Sequence, residues 1–223
     1  MTILFVPGFM TDNTLWADVI SHMDTNEPVA FAELGTEASI PGMARVALRH
    51  APASLVLVGF SMGGYVAREM VRLAPERVRA LILIATSARV DTPIQAQRKL
   101  DAVQQISTAP FRGLTRSSIK MSIHAEHEQN QDLIDRVRTM SLALGKDTFI
   151  RQAGMQRESD MDRLSEIRCP TLIIAAEGDR IRSMEESQEL HECIPNAEMT
   201  VIDGSGHMLP LEAPAMQLEQ QIA

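Results

Sequence analysis

The chain has 223 residues, 45% hydrophobic and 22% charged, which fits one large globular domain or a core with an insertion and leaves disorder and coiled coil as poor descriptions. A formal charge of -8, with 21 basic residues dispersed along the chain, disfavours nucleic acid and anionic lipid as partners. No apolar stretch reaches the roughly 18 residues of a membrane-spanning helix, and the opening MTILFVPG reads as a strand and not a signal peptide. The expectation is a cytoplasmic protein with Cys169 and Cys193 reduced.

In chain order, TILFV (2–6) reads as a short strand, and Leu15, Val19 and His22 to Met23 then keep helical spacing. PVAFAEL (28–34) gives a second strand. Met43, Val46 and Ala47 mark a helix that Ser39 can cap, with Pro41 in its first turn. SLVLVG (54–59) is a third strand, followed by a helix on Val66, Met70 and Leu73 that Pro75 stops. RALILIA (79–85) and TLIIAA (171–176) are uniformly apolar, as strands covered on both faces are. Met184 to Cys193 is helical, MTVID (199–203) is a sixth strand, and Met216 to Ile222 a last helix. Strands alternating with helices require a parallel sheet, because parallel neighbours need crossover connections.

That alternation stops between residues 88 and 168, where only helices are predicted, near 93–107, 112–122, 130–144 and 147–157. The expected organisation is a core of residues 1–87 and 169–223 with an all-helical cap, 88–168, over one end of the sheet.

GFSMG, residues 59–63, fits the G-x-S-x-G turn that sets a serine on a corner between strand and helix. The corner holds neighbouring turns so close that a Cβ at Gly59 or Gly63 would collide, and Gly64 extends the approach into the helix. Ser61 is then exposed above the C-terminal edge of the sheet, with the unpaired N–H groups of the new helix beside it. The bland reading is a strand-to-helix turn with glycine packing.

A serine hydroxyl needs a base, and the base needs an orienting acid. AAEGDRIRS places Asp179 just after the fifth strand, and DGSGHMLPLEAP places His207 after the sixth. Each could instead be a loop residue, Asp179 as a turn or cap acceptor. Glu177 and Asp203 are rival acids, Asp203 only four residues before the histidine. The other histidines, His22, His50, His124, His127 and His191, fall in helical patterns that predict solvated or packed roles. For an oxyanion, Met62 offers the N–H after the serine, and FVPGFM offers a second loop donor, with Gly8 allowing close approach and Phe9 the expected N–H. HAEHEQ lacks HExxH spacing, so no metal site is expected.

Taken together, VPGFM, GFSMGG, CPTLIIAAEGDRI and GSGHMLPLEAP resemble the α/β-hydrolase superfamily over nearly the whole chain, in particular its small bacterial esterase-like members with a helical lid. Pro7-Gly8 stands where many relatives carry His-Gly. The resemblance implies a doubly wound, wholly parallel sheet of about six strands in the order 2-1-3-4-5-6, without the superfamily's first two strands. It also implies hydrolysis of an ester-like bond through an acyl-serine intermediate; no cofactor, a small or medium apolar substrate, and a monomer or homodimer are expected. Ser61, His207 and Asp179 would be the catalytic triad of this reaction. Thioester, lactone or C–C bond hydrolysis, or a ligand sensor that keeps the triad, are alternatives on the same residues. Phe9, Phe60, Met121, Met140 and Met155 suggest an apolar pocket.

Overall fold

The computed structural model describes residues 1–216 and 218. Its six strands are β1 (Thr2–Val6), β2 (Val29–Phe31), β3 (Leu55–Phe60), β4 (Val78–Ile84), β5 (Thr171–Ala176) and β6 (Ala197–Ile202). They form one sheet in the order β2-β1-β3-β4-β5-β6, parallel at every pairing. Helices α1 (Ala17–His22), α2 (Ile40–His50), α3 (Met62–Leu73), α7 (Met184–Cys193) and the short α8 (Leu209–Glu212) follow strands in the core. Between β4 and β5 lie α4 (Pro93–Thr108), α5 (Arg116–Ser122) and α6 (Gln131–Ala153).

Strand side chains alternate between two apolar layers, as a period of two demands. Phe5, Val58 and Ile82 join α1, α5, α6 and α8 on one face. Leu4, Leu57 and Leu83 join α2, α3 and α7 on the other. The interior strands β1, β3, β4 and β5 are almost entirely buried, which is why their sequences are largely unbroken apolar runs. The edge strand β6 alternates partly covered and exposed residues.

Local chemistry sets the boundaries. Ser39 Oγ accepts from Gly42 N at 3.2 Å, with Pro41 in the first turn of α2. Thr92 and Gln95 form a reciprocal capping box on α4, as Ser183 and Glu186 do on α7. Gly145, at φ 78°, interrupts α6, so the two helices expected on either side of residue 145 share one kinked element.

Some expectations shift. The second strand is three residues long, not seven, because it is an edge strand paired only with β1. Leu73, expected on the apolar face of its helix, is 44% exposed at the last turn of α3. The α5 helix starts at Arg116, not 112, because Gly113 sits at φ 77° and Thr115 Oγ1 caps the helix by accepting from Ser118 N. The helix expected from Met216 to Ile222 falls, apart from residues 216 and 218, outside the described residues. No helix among the described residues is long and apolar enough to cross a membrane.

Candidate active site

In a parallel sheet every strand ends at the same edge, so loops that follow β1, β3, β5 and β6 are neighbours. Ser61 lies directly after β3, in the left-handed region at φ 51° and ψ -112°. A non-glycine residue held there costs about 1–3 kcal/mol. Its surroundings fix it: Ser61 N donates to Ile84 O at 2.9 Å, and Thr86 Oγ1 donates to Ser61 O at 2.7 Å. The glycines serve the predicted purpose. A Cβ on Gly59 would stand 2.7 Å from Gly63 O, and one on Gly63 would stand 2.6 Å from Pro7 O.

His207 lies on the turn between β6 and α8, its Nε2 2.9 Å from Ser61 Oγ and its Nδ1 2.8 Å from Asp179 Oδ2. Ser61 and His207 are 7% and 6% exposed, enclosed enough for these bonds to be little screened by solvent. Phe60 packs on the imidazole with ring centroids 5.3 Å apart. Asp179 does two jobs with its two oxygens. Oδ1 accepts from Ile181 N at 2.8 Å and Arg182 N at 2.9 Å, the turn role weighed for it, while Oδ2 faces the ring. Burial pushes the Asp179 carboxyl up, but the His207 ring and the hydrogen bonds to Oδ1 and Oδ2 outweigh it and hold the acid below its ordinary value. The rival acids Glu177 and Asp203 are exposed, and Glu177 Oε2 accepts only a 3.5 Å bond from Gly204 N.

Met62 opens α3, so its N–H has no intrahelical acceptor. Phe9 sits in the loop after β1, and its N–H likewise has no acceptor among the described residues. Gly8 N donates to Thr11 Oγ1 at 2.8 Å, and Met10, at φ 53°, donates its N–H to Gln152 Oε1 at 2.9 Å. Gln152 thereby ties this loop to α6.

Ser61 and His207 open onto a cavity of about 320 Å³, walled by Phe9, Leu114, Val137, Phe149 and Met155 among others. Of the methionines expected there only Met155 lines it. Met140 is buried in the core and Met121 is 48% exposed.

This architecture agrees with the match of a family model described as serine aminopeptidase, S33, to residues 41–214. The chain belongs to the α/β-hydrolase superfamily. Among the relatives of this α/β hydrolase is a pimeloyl-[acyl-carrier protein] methyl ester esterase from Chromobacterium violaceum, 22% identical over 233 residues, covering 98% of this chain and 89% of the relative. A 2-hydroxymuconate semialdehyde hydrolase from Pseudomonas putida is 30% identical over 164 residues, covering 70% of this chain and 57% of its own length. Among solved structures, a thermophilic esterase from Thermogutta terrifontis, with malate bound, superposes at TM-score 0.85 with 26% identity, covering 100% of this chain and 88% of that one.

Two features of the α/β hydrolase's site escaped the sequence reading. His124 and His127 are not on a helix face. His124 caps a short 3₁₀ turn that His127 ends, and His127 Nδ1 lies 2.8 Å from Glu212 Oε1. The fully enclosed Glu212 also accepts from His124 N at 2.7 Å and Gly206 N at 3.0 Å, anchoring the turn that bears His207. The second is a set of cations on the cavity wall, Arg98, Lys99, Arg157 and Arg182. The sequence offers only the adjacent Arg98-Lys99 pair as a hint, since Arg157 and Arg182 lie 58 and 83 residues beyond Lys99.

Proposed function

We propose that the protein is a carboxylesterase-type serine hydrolase acting on small to medium esters, with residues 88–168 as the cap over its pocket. Ser61 Oγ attacks the ester carbonyl carbon while His207 Nε2 takes the hydroxyl proton. The Asp179 carboxylate keeps the remaining imidazole proton on Nδ1 and stabilises the imidazolium. The carbonyl oxygen becomes an oxyanion, to which Phe9 N–H and Met62 N–H donate. Collapse breaks the C–O bond, and the departing alcohol takes the proton from His207. A water then gives its proton to His207 and attacks the acyl-serine, and the acid leaves as Ser61 is reprotonated.

The observation that carries this reading is the continuous relay from Ser61 Oγ through His207 to Asp179, at 2.9 and 2.8 Å, at one end of an apolar cavity. The strain at Ser61 supports it, since a turn with no chemical role would gain nothing from that backbone. The test is turnover of p-nitrophenyl acetate and butyrate. Ser61→Ala is expected to lower kcat by roughly 10⁴-fold or more; a variant within about tenfold of wild type would reject the assignment.

A further inference from the structure

The cavity wall carries charge for which cleavage of a neutral ester has no use. Arg98 and Lys99 on α4, Arg157 beyond the end of α6, and Arg182 in the Asp179 loop all line it. Three of these are poorly hydrated: the side chains of Lys99, Arg157 and Arg182 are 26%, 12% and 8% exposed.

Among the described residues, two carboxylates answer four cations. Asp91 is shared, taking Lys99 Nζ on Oδ2 and Arg157 on Oδ1 at 2.9 Å. Glu186 accepts from Arg182 at 3.2 Å through Oε1, while its Oε2 is committed to Ser183 N at 2.7 Å. Arg182 Nε is buried with no acceptor, and Arg98 has neither a hydrogen bond nor an ion pair, among the described residues.

The crowding shows in the electrostatics of the wall. Burial, and after it the Arg182 guanidinium, push Arg157 below its ordinary value, and burial followed by Arg157 does the same to Lys99. The Arg157 and Arg182 guanidinium carbons stand 5.4 and 5.9 Å from the Tyr65 ring centroid, a contact that holds both in place. The Asp91 ion pair with Arg157 already ties the segment ahead of α4 to the chain beyond α6. The surplus of positive charge exceeds that structural need, and an arriving anion would offset it.

We propose that this wall binds a carboxylate on the substrate, separated by an apolar segment from the carbonyl that Ser61 attacks. The preferred substrate class is then the monoester of an aliphatic dicarboxylic acid, with its methylenes along Leu114, Val137 and Phe149. Guanidinium forks suit a carboxylate's two oxygens better than an ammonium does. This inference rests on the reading of Ser61 as nucleophile only for where the carbonyl lies.

The test compares monomethyl adipate with its neutral monoamide counterpart. Wild type is expected to prefer the acid by about tenfold or more in kcat/KM, equivalent to about 1.4 kcal/mol, with the difference carried in KM. Arg98→Gln, on an exposed helix, should shrink that ratio, and Arg98→Gln combined with Arg157→Gln should shrink it further, Lys99 and Arg182 remaining. Comparable wild-type rates on both compounds, or a preference undiminished by the double substitution, would overturn the anion site and leave the hydrolase reading standing. Calorimetric binding of the two compounds to Ser61→Ala separates the claims. Tighter binding of the acid, with neither compound cleaved by wild type, would keep the anion site and reject this monoester as the bond that Ser61 attacks. Equal affinity for both would overturn the site.

Discussion

The buried ion pair behind the Ser61 turn sets up a sharp stability prediction. Arg68, on α3, has a fully enclosed side chain whose Nε and Nη2 donate to the two oxygens of Asp160, both at 2.8 Å, while Nη2 also donates to Ser87 O at 2.8 Å. Arg72 adds a third donor to Asp160 at 2.9 Å. Asp160→Asn keeps the shape but turns an amide N–H₂ toward those donors and strands the Arg68 charge. Removing one partner of a buried pair costs about 3–5 kcal/mol, against a total stability of roughly 5–15 kcal/mol. For a chain of this size that is a fall in Tm of roughly 6–20 °C. Trp16, the only tryptophan and fully buried, supplies the fluorescence signal for urea unfolding.

The pH dependence follows from the same carboxylate. Burial pushes Asp160 up, but the charges and hydrogen bonds of Arg68 and Arg72 outweigh it and hold the acid below its ordinary value. A depressed folded pKa contributes stability that is complete above the unfolded value of about 3.9 and disappears as pH drops through the folded one. The wild type should therefore lose this share on acidification, and Asp160→Asn should lack it at every pH. Replacing the pair with Arg68→Met and Asp160→Leu should recover part of the loss, since apolar substitutes for a buried pair are often neutral and Arg72 keeps Glu69 as its partner. A loss below about 1 kcal/mol in Asp160→Asn, or a double variant no more stable than that single one, would refute the stranded-charge argument.

Two further outcomes follow from the site. Gly63→Ala places a methyl against the carbonyls of Val6 and Pro7, backbone atoms that cannot swing away, so urea unfolding should show a loss of about 1–3 kcal/mol or more together with lost ester turnover; full retention of both would contradict the close approach. Glu212→Gln leaves one side-chain oxygen for three donors, and should cost about 1–3 kcal/mol and lower kcat more than it changes KM, because the His207 turn loosens. Unaltered kcat would mean that Glu212 does not position that turn.

The central strands were legible because burial on both faces leaves no room for polar residues, and the sheet order then followed from the resemblance. The short edge strand was not, since Ala32 to Leu34 continue the apolar pattern of Val29–Phe31 without a partner strand that would extend the pairing. Ser61, Asp179 and His207 could be placed because each follows a strand, and a parallel sheet gathers such loops. What could not be read was anything set by distance alone. Glu212 stood within the same stretch as His207, yet no spacing rule says that its carboxylate folds back onto Gly206 N. The four cavity cations come from three separate segments, α4, the chain beyond α6 and the loop after β5, and only their packing around one cavity assembles them.

The turn that carries His207 is braced from outside the sheet: Met208 N donates to Ser122 O at 2.8 Å, and Glu212 takes the N–H of His124. A shortened chain running straight from β4 into β5 would keep all six strands and lose both struts. The intervening stretch is therefore not a detachable accessory that could be trimmed or exchanged whole for a relative's version. Any transplant would have to bring its own carbonyl and its own amide to the same two points.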